Sequence, residues 1–316
     1  MSRSPISFVI AAYNDQAGVA RHLNYFSNYP DFAEVIIIDD ASDDDLDGTI
    51  KAANLPSRIE LRYHRNTDNL GPGPSRNIGL EMARRDRIMF VDADDLLVPE
   101  FADYIALSPL GRGADFVFFK YHLCNTHQNA LTYNMHSSDN SFFTSALECG
   151  FQDVLYDITQ LPSILRTVNF PWNKVFLTEF LHRADITFPD LRMHEDIQPH
   201  WRSCLRAKRF AILDWAPPLI SHYEVPNGSR ATNYIGPKRK QAFQALCDVY
   251  EDMRYHPFAA SFVPELLHFS QGLLEWMVMR APTLSQELTD AAEALYQKVG
   301  ARPEDVTPSL MGHVLD

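Results

Sequence analysis

Three carboxylates, Asp92, Asp94 and Asp95, close an unbroken apolar run formed by Ile88, Met89, Phe90 and Val91. Such a run reads as a strand buried on both faces, and the acids then stand at its carboxyl end, the edge at which open α/β sheets bind ligands. Acidic groups packed this closely repel one another, and a divalent cation with hard oxygen ligands would relieve that repulsion. The competing reading is an acidic helix start, with Asp95 capping the segment that follows. Of the histidines, His222 is the better candidate metal ligand, because it follows the apolar run 216–220 and a strand end could deliver it to the acids. His194 fits a helix cap or a surface position more simply.

The elements that must position these groups alternate regularly. Residues 6–12 form a buried strand, and a helix starting at Asp15 or Gln16 carries Val19, Leu23 and Phe26 on one face. A β-branched strand over 34–38 closes on Asp39 and Asp40, and the acidic segment 41–48 leads into a short helix. A third strand spans 59–63. The turn at 69–74, rich in Gly and Pro, precedes a helix through Arg76, Ile78 and Met82, and the acidic strand comes fourth. Strand and helix in this succession imply an α/β fold with a parallel sheet and helices on both faces. Polar residues then collect along one rim: Tyr13 and Asn14, Asp39 and Asp40, Arg76 and Asn77, and the acidic triplet. A nucleotide could be read there, by an aromatic face beside the base, a carboxylate accepting from a base N–H, and a metal across the diphosphate. Taken singly, Tyr13 is more simply a half-buried strand-end tyrosine than a ligand contact, and residues 42–45 could merely cap a helix.

Composition narrows the classes. The 316 residues have room for about two domains, and 46% hydrophobic residues supply a core. A net charge of −13 argues against a nucleic-acid partner, whose binding surface should be basic. Cys124, Cys149, Cys204 and Cys247 are scattered with no C-x-x-C pair, which fits a reducing compartment and excludes a cysteine zinc site. The apolar run before Asn14 is too short for a signal peptide or a membrane span. The expected location is cytoplasmic, peripheral to the inner face of the membrane if it touches one.

The segments SFVIAAYN, EVIIIDDASDD, NLGPGPSRNIGL and RIMFVDADD, in that order and spacing, resemble the amino-terminal half of family 2 glycosyltransferases with the GT-A fold. The likeness is strong over residues 5–105 and looser to about 230. It implies a nucleotide-diphospho-sugar donor, a UDP-sugar by preference, a divalent cation (Mn2+ or Mg2+) at the D-x-D element, and inversion at the anomeric carbon. Matched position by position, Ala12, Tyr13 and Asn14 would line the nucleotide, with Tyr13 along the base. Asp40 would contact the base, and Arg76 and Asn77 would flank the nucleotide. Asp92 would face the ribose or a metal-bound water, and Ala93 would lie against the nucleotide-sugar. Asp94 would ligate the metal, with Asp95 a second ligand. FPWNKVF at 170–176 and MHEDI at 193–197 resemble the family's acceptor-side elements. On that footing Asp196 would be the general base for the acceptor hydroxyl and Glu195 its neighbour, whereas without it both are ordinary first-turn helix acids. Trp172 is core or a wall of the acceptor site. Lys174 either approaches the diphosphate or lies on the surface. Ala12 and Ala41 stand where many members carry proline and glycine.

The division expected is a catalytic domain over 1–235 and a helical appendage over 236–316. Residues 114–121 read as a further strand, 126–140 as a polar loop or hairpin, and 223–234 as a loop whose Ser229 and Arg230 could reach phosphate oxygens. Helical periodicity marks 237–255, 264–280 and 284–299, and the middle segment carries too many apolar residues for one stripe. The catalytic domain, a second subunit or a membrane surface must cover it. The acceptor implied is a glycan or lipid-linked glycan of a cell surface. Two other readings use the same residues. A phosphohydrolase would take Asp92 as nucleophile and Asp94 as acid, but wants a small hydroxyl residue where Leu96 and Leu97 stand. A nucleotidyltransferase would want a glycine-rich basic loop where the chain has AAYNDQAG. A third is a nucleotide-sugar-binding module without turnover.

Overall fold

In the computed structural model the chain is described for residues 6–29, 34–125, 132–147, 154–224 and 234–301. The expected Ser229–Arg230 phosphate contact lies outside them. The amino-terminal elements run β1 (Ile6–Ala12), α1 (Gln16–Asn28), β2 (Glu34–Asp39), α2 (Leu46–Ala52), β3 (Glu60–Arg65), α3 (Pro72–Met82) and β4 (Arg87–Asp92). Then come β5 (Leu96–Leu97), α4 (Phe101–Leu107), β6 (Phe116–Phe119), β7 (Tyr121–Asn125), β8 (Thr132–Asn134), α5 (Ser137–Leu147) and β9 (Leu155–Tyr156). The middle closes with β10 (Lys174–Leu177), α6 (Thr178–Arg183), α7 (Ile197–Arg206), β11 (Phe210–Leu213) and β12 (Ile220–Glu224), and α8 (Gln241–Met253), α9 (Ala259–Arg280) and α10 (Ser285–Val299) follow.

The main sheet has eight strands in the order β3-β2-β1-β4-β10-β6-β11-β9. The first four are mutually parallel, and β10 enters antiparallel between β4 and β6. Side-chain alternation along these strands divides the interior in two. Val9, Ile36, Ile38, Ile88 and Phe90 face one core, while Phe8, Ile10, Val35, Ile37, Met89 and Val91 face the other. This period of two, with apolar residues on both faces, is what makes the strands read as continuous hydrophobic runs. β1 lies between β2 and β4, so the strand order reverses direction there and opens a crevice at the carboxyl ends.

The sequence reading misses a second sheet. Residues 114–121 are not one strand: β6 stays in the main sheet, and the chain bends into β7, which joins a smaller sheet ordered β5-β12-β7-β8. The 126–140 stretch supplies β8, antiparallel to β7, and the start of α5. Nor does Asp95 cap a helix, since it leads directly into β5 and α4 begins only at Phe101.

The apolar α9 is covered from within the chain. Its Phe269 meets Trp201 of α7 edge-on at 5.9 Å, and the core on this face continues from β6 and β10 through α7 into α8, α9 and α10. Arg202–Asp252 (2.6 Å) and Gln198–Asp248 (2.9 Å) join α7 to α8 at the rim of that contact. Among the described residues no helix is long and apolar enough to cross a membrane.

Candidate active site

Each rim loop is tied down by its neighbour. Asp40 donates its backbone N–H to the carbonyl of Ala12 (2.8 Å), continuing the β1–β2 ladder by one residue. Its carboxylate accepts from the backbone N–H groups of Leu70 and Gly71 and from Asn66 Nδ2, each at 2.8 Å. The side chain therefore holds the turn that starts α3, where the sequence placed it on the base. Asp39 is buried beneath, receiving Tyr63 Oη (2.9 Å), the N–H of Ser42 (2.8 Å) and the Arg65 guanidinium. Burial alone would raise its carboxyl, but these bonds outweigh it and hold the group below the usual range. Asn14 stitches the β1 loop to the β2 loop through Ser42 (3.0 Å) and the backbone N–H of Asp43 (2.6 Å). Tyr13 stands at the tip of β1, 51% exposed, with its ring open to a ligand, and Ala12 is buried beneath it.

Two of the four non-glycine residues with positive φ among the described residues, Asn14 (52°) and Ala41 (62°), lie in these loops, and a third, His194 (61°), precedes α7. Left-handed backbone costs a side-chain-bearing residue about 1–2 kcal/mol, and such strain concentrates where a chain is held for function. At Ala41 the side chain contributes nothing that would offset it. Ala41→Gly should therefore raise the melting temperature by ~2 °C, the equivalent of about 0.5–1 kcal/mol after the extra entropy of glycine. An unchanged or lower melting temperature would show the turn to be unstrained.

The acidic triplet divides its work. The backbone carbonyl of Asp92 contacts Nε2 of His22 (3.0 Å), a buried imidazole on α1 whose pKa burial lowers to about 4. Ala93 follows in the turn, and its carbonyl fills the space a Cβ on Gly18 would need, so α1 approaches the acids only because residue 18 is glycine. Asp95 is fully buried. Its Oδ1 meets Nδ1 of His222 at 2.6 Å and its Oδ2 has no partner. The pairing follows from strand register. Ile220 lies opposite Leu97 and Ser221 opposite Leu96, which brings His222 beside Asp95 across 127 residues of sequence. Ligand atoms of Asp94, Asp95 and His222 all lie within 4.8 Å of one another. Burial pushes the Asp95 carboxyl up to about 7 against the pull of the imidazole. Burial also disfavours the His222 cation, but the Asp95 carboxylate more than offsets this and raises it to about 9. The imidazole plane is set by two aromatic rings, Trp172 at 5.2 Å and 14° and Phe170 at 5.9 Å and 28°. Trp172 is thus core, as the simpler reading has it, yet it also touches the candidate ligand.

Arg76 sits between the acidic triplet and the acceptor-side pair. Its Nη2 donates to Asp92 Oδ1 and its Nη1 to Glu195 Oε1, both at 2.7 Å, and its face lies 5.3 Å from the Phe188 ring centroid. Burial disfavours the guanidinium charge, but the two carboxylates overcome this and keep it protonated. Asn77, expected beside the nucleotide, has its amide engaged on the backbone of Phe188, donating to the carbonyl (2.8 Å) and accepting from the N–H (2.9 Å). Asp196, partly exposed at the start of α7, is pushed up to about 7 by lost hydration and then by Glu195, with Arg76 opposing. His194 just before it is neither a helix cap nor a surface residue: its Nε2 is buried without a partner, and burial lowers its pKa to about 4.

Lys174 corrects the sequence reading. The side chain is neither at the surface nor on the rim, because β10 carries it into the core, where it is 1% exposed. Its ammonium donates to the Phe170 carbonyl and to Asn173 Oδ1, both at 2.7 Å, and lies 5.0 Å from the Phe118 ring centroid. Burial lowers its pKa to about 8. Sequence reasoning also passed over Gly18, His22 and Asn66. A lone histidine on an apolar helix face carries no local signal of the carbonyl it meets 70 residues away.

Comparison with known proteins identifies the family and the fold. The model of Glycosyl transferase family 2 matches residues 7–201. EpsH of Bacillus subtilis, named as a glycosyltransferase, is 24% identical over 98% of this chain and 91% of its own length. The poly(ribitol-phosphate) β-N-acetylglucosaminyltransferase TarS of Staphylococcus aureus is 25% identical over 78% of this chain, which spans 39% of TarS. Among solved structures, S. aureus TarS 1–349 in complex with UDP-GlcNAc superposes with a TM-score of 0.67 at 17% identity, covering 96% of this chain and 89% of that one. The mannosyltransferase PcManGT from Pyrobaculum calidifontis, in complex with GDP-Man and Mn2+, gives 0.52 at 17% identity, covering 93% and 81%. Family membership selects the transferase over the phosphohydrolase and nucleotidyltransferase readings, and the chain belongs to glycosyl transferase family 2, a glycosyltransferase of GT-A fold.

Proposed function

We propose that the chain transfers a sugar, with inversion, from a UDP-sugar to a hydroxyl of a surface-glycan acceptor, and that the transfer depends on a divalent cation. The observation that carries this reading is the convergence of Asp94, Asp95 and His222 within 4.8 Å, at the carboxyl edge of the sheet that also bears Asp92. The donor set fits a cation: Asp95 Oδ2 is buried with no partner, an arrangement that costs free energy unless something positive or protonated meets it. Two carboxylates and one imidazole suit Mn2+ better than Mg2+, whose preferred ligands are all oxygen. The cation, when bound, offsets the negative charge that grows on the departing diphosphate. PcManGT, named with Mn2+, and TarS, named with UDP-GlcNAc, are in keeping with both choices.

The protein groups then have separate roles. Tyr13, exposed at the tip of β1, offers a face to the base, and Ala12 and Asn14 shape the floor and wall beside it. Asp40 supports that wall from below by holding the Leu70–Gly71 turn. Asp92 faces the ribose side, anchored through Arg76. Asp196 takes the acceptor proton as the hydroxyl attacks. A carboxyl held near neutrality releases and accepts protons at working pH, and its partial exposure leaves it reachable. The charged, bidentate Arg76 keeps Glu195 in place beside it. The protein would work in the cytoplasm, at the inner face of a membrane carrying a lipid-linked acceptor, with the carboxyl-terminal region from residue 236 as a separate unit whose helices α8–α10 are available for self-association. UDP-sugars incubated with the protein should release UDP in Mn2+ and none in excess EDTA. Release that ignores EDTA would remove the cation from the reading.

A further inference from the structure

We propose that Arg76 couples the donor side of the site to the acceptor side, a positioning residue through which the Glu195 contact sets the affinity for a nucleoside diphosphate. The inference rests on the UDP-sugar reading above and adds to it a coupling between the two halves of the same site.

The guanidinium is fixed from beneath. Asn77, the next residue on α3, grips the Phe188 backbone in both directions, at 2.8 and 2.9 Å, and the Phe188 ring lies under Arg76 at 5.3 Å while meeting Phe90 of β4 edge-on at 4.9 Å. The helix end is pressed close as well, since a Cβ on Gly73 would come within 2.5 Å of the Pro189 carbonyl and 3.3 Å of Glu195 Cβ. A cation held in this way does not follow either carboxylate. Asp92 and Glu195 instead share it, one on each terminal nitrogen, from segments more than a hundred residues apart. Their exposures differ: the Asp92 side chain is 29% exposed, and the Glu195 side chain is 12% exposed.

One buried cation shared by two carboxylates makes their states interdependent. With the Glu195 carboxylate in place, Arg76 divides its attraction and Asp92 retains freedom to engage a ligand on the rim. With that carboxylate replaced by an amide, Arg76 is left to Asp92 alone and draws it away from that engagement. Loss of the Glu195 charge therefore weakens donor binding, although Glu195 belongs to the acceptor side. By reciprocity, donor occupancy changes how firmly the acceptor-side pair is held. A planar fork is required, because a lysine ammonium is a point charge that cannot bond both partners in this geometry.

The test is a cycle read by isothermal titration of UDP in the presence of Mn2+, on wild type, Glu195→Gln, Arg76→Lys and the double variant that combines the two. Arg76→Lys is chosen because it keeps the buried positive charge that an apolar substitution would strip from two carboxylates. Glu195→Gln should weaken UDP binding on the order of fivefold or more when Arg76 is present, and leave it unchanged when introduced on top of Arg76→Lys. Equal affinity of wild type and Glu195→Gln overturns the coupling. So does an equal loss in both backgrounds, because a through-space effect of the Glu195 charge needs no Arg76. A wild-type protein that binds no UDP overturns the nucleotide reading and the coupling with it.

Discussion

Asp94→Ala should abolish the thermal stabilisation that UDP and Mn2+ together confer, while leaving the free protein close to its wild-type melting temperature. A ligand that binds only the folded state stabilises it by RT ln(1 + [L]/Kd), about 2.7 kcal/mol at a hundredfold excess over Kd, which for a protein of this size is a shift of several degrees. Asp94 belongs to the three-residue cluster whose ligand atoms lie within 4.8 Å, and unlike Asp95 it is not fully buried. Removing its carboxylate takes away a ligand without leaving a cavity in the core. UDP without metal should stabilise weakly in both proteins, since stacking on Tyr13 does not need the cation. A full UDP–Mn2+ shift in Asp94→Ala would move the cation site elsewhere.

Asp196→Asn should lower turnover by roughly 10²–10⁴-fold, the range that a positioned general base supplies, and leave UDP–Mn2+ binding intact. In the wild type the acid limb of kcat/KM should fall near pH 7, where burial and the neighbouring Glu195 place the Asp196 carboxyl. The same shift has a stability consequence of opposite pH sense to an ordinary ion-paired acid. The unfolded chain releases this proton near 3.8 and the folded chain keeps it to about 7. Across that window the folded state binds more protons, so its stability falls as pH rises. The neutral asparagine removes this penalty. Its variant should accordingly melt higher than wild type at pH 7 and show a shallower decline between pH 4 and 7. A variant that retains turnover would remove Asp196 as the base. One with the wild-type pH dependence of melting would show that its carboxyl titrates as in water.

The acids can be separated from the scaffold in sequence because the two follow different rules. The central residues of β1, β2 and β4 are buried on both faces, so the runs are almost wholly apolar and the polar residue that ends each one marks the strand end. Parallel strands place those ends on one rim, and Tyr13, Asp40 and the acidic triplet become neighbours by topology alone. The three carboxyl-terminal helices likewise follow from their period, and α9 and α10 end where it ends.

Tertiary structure decided what each rim residue touches. His222 reaches Asp95 only because β12 pairs antiparallel with the two-residue β5 in one register, and nothing local in either segment states that pairing. Lys174 is buried because β10 inserts antiparallel into the middle of the sheet, a position that a strand of four residues does not announce. Arg76 becomes a bridge, and Asn77 a backbone clamp, because the 188–196 segment packs against the start of α3. Sequence by itself determined the fold class, the rim and the identities of its acids, because these depend on period and order along the chain. The partners of those acids depend on strand register and helix packing across gaps of 70 to 127 residues, where the deciding energy lies in contacts between segments rather than within them.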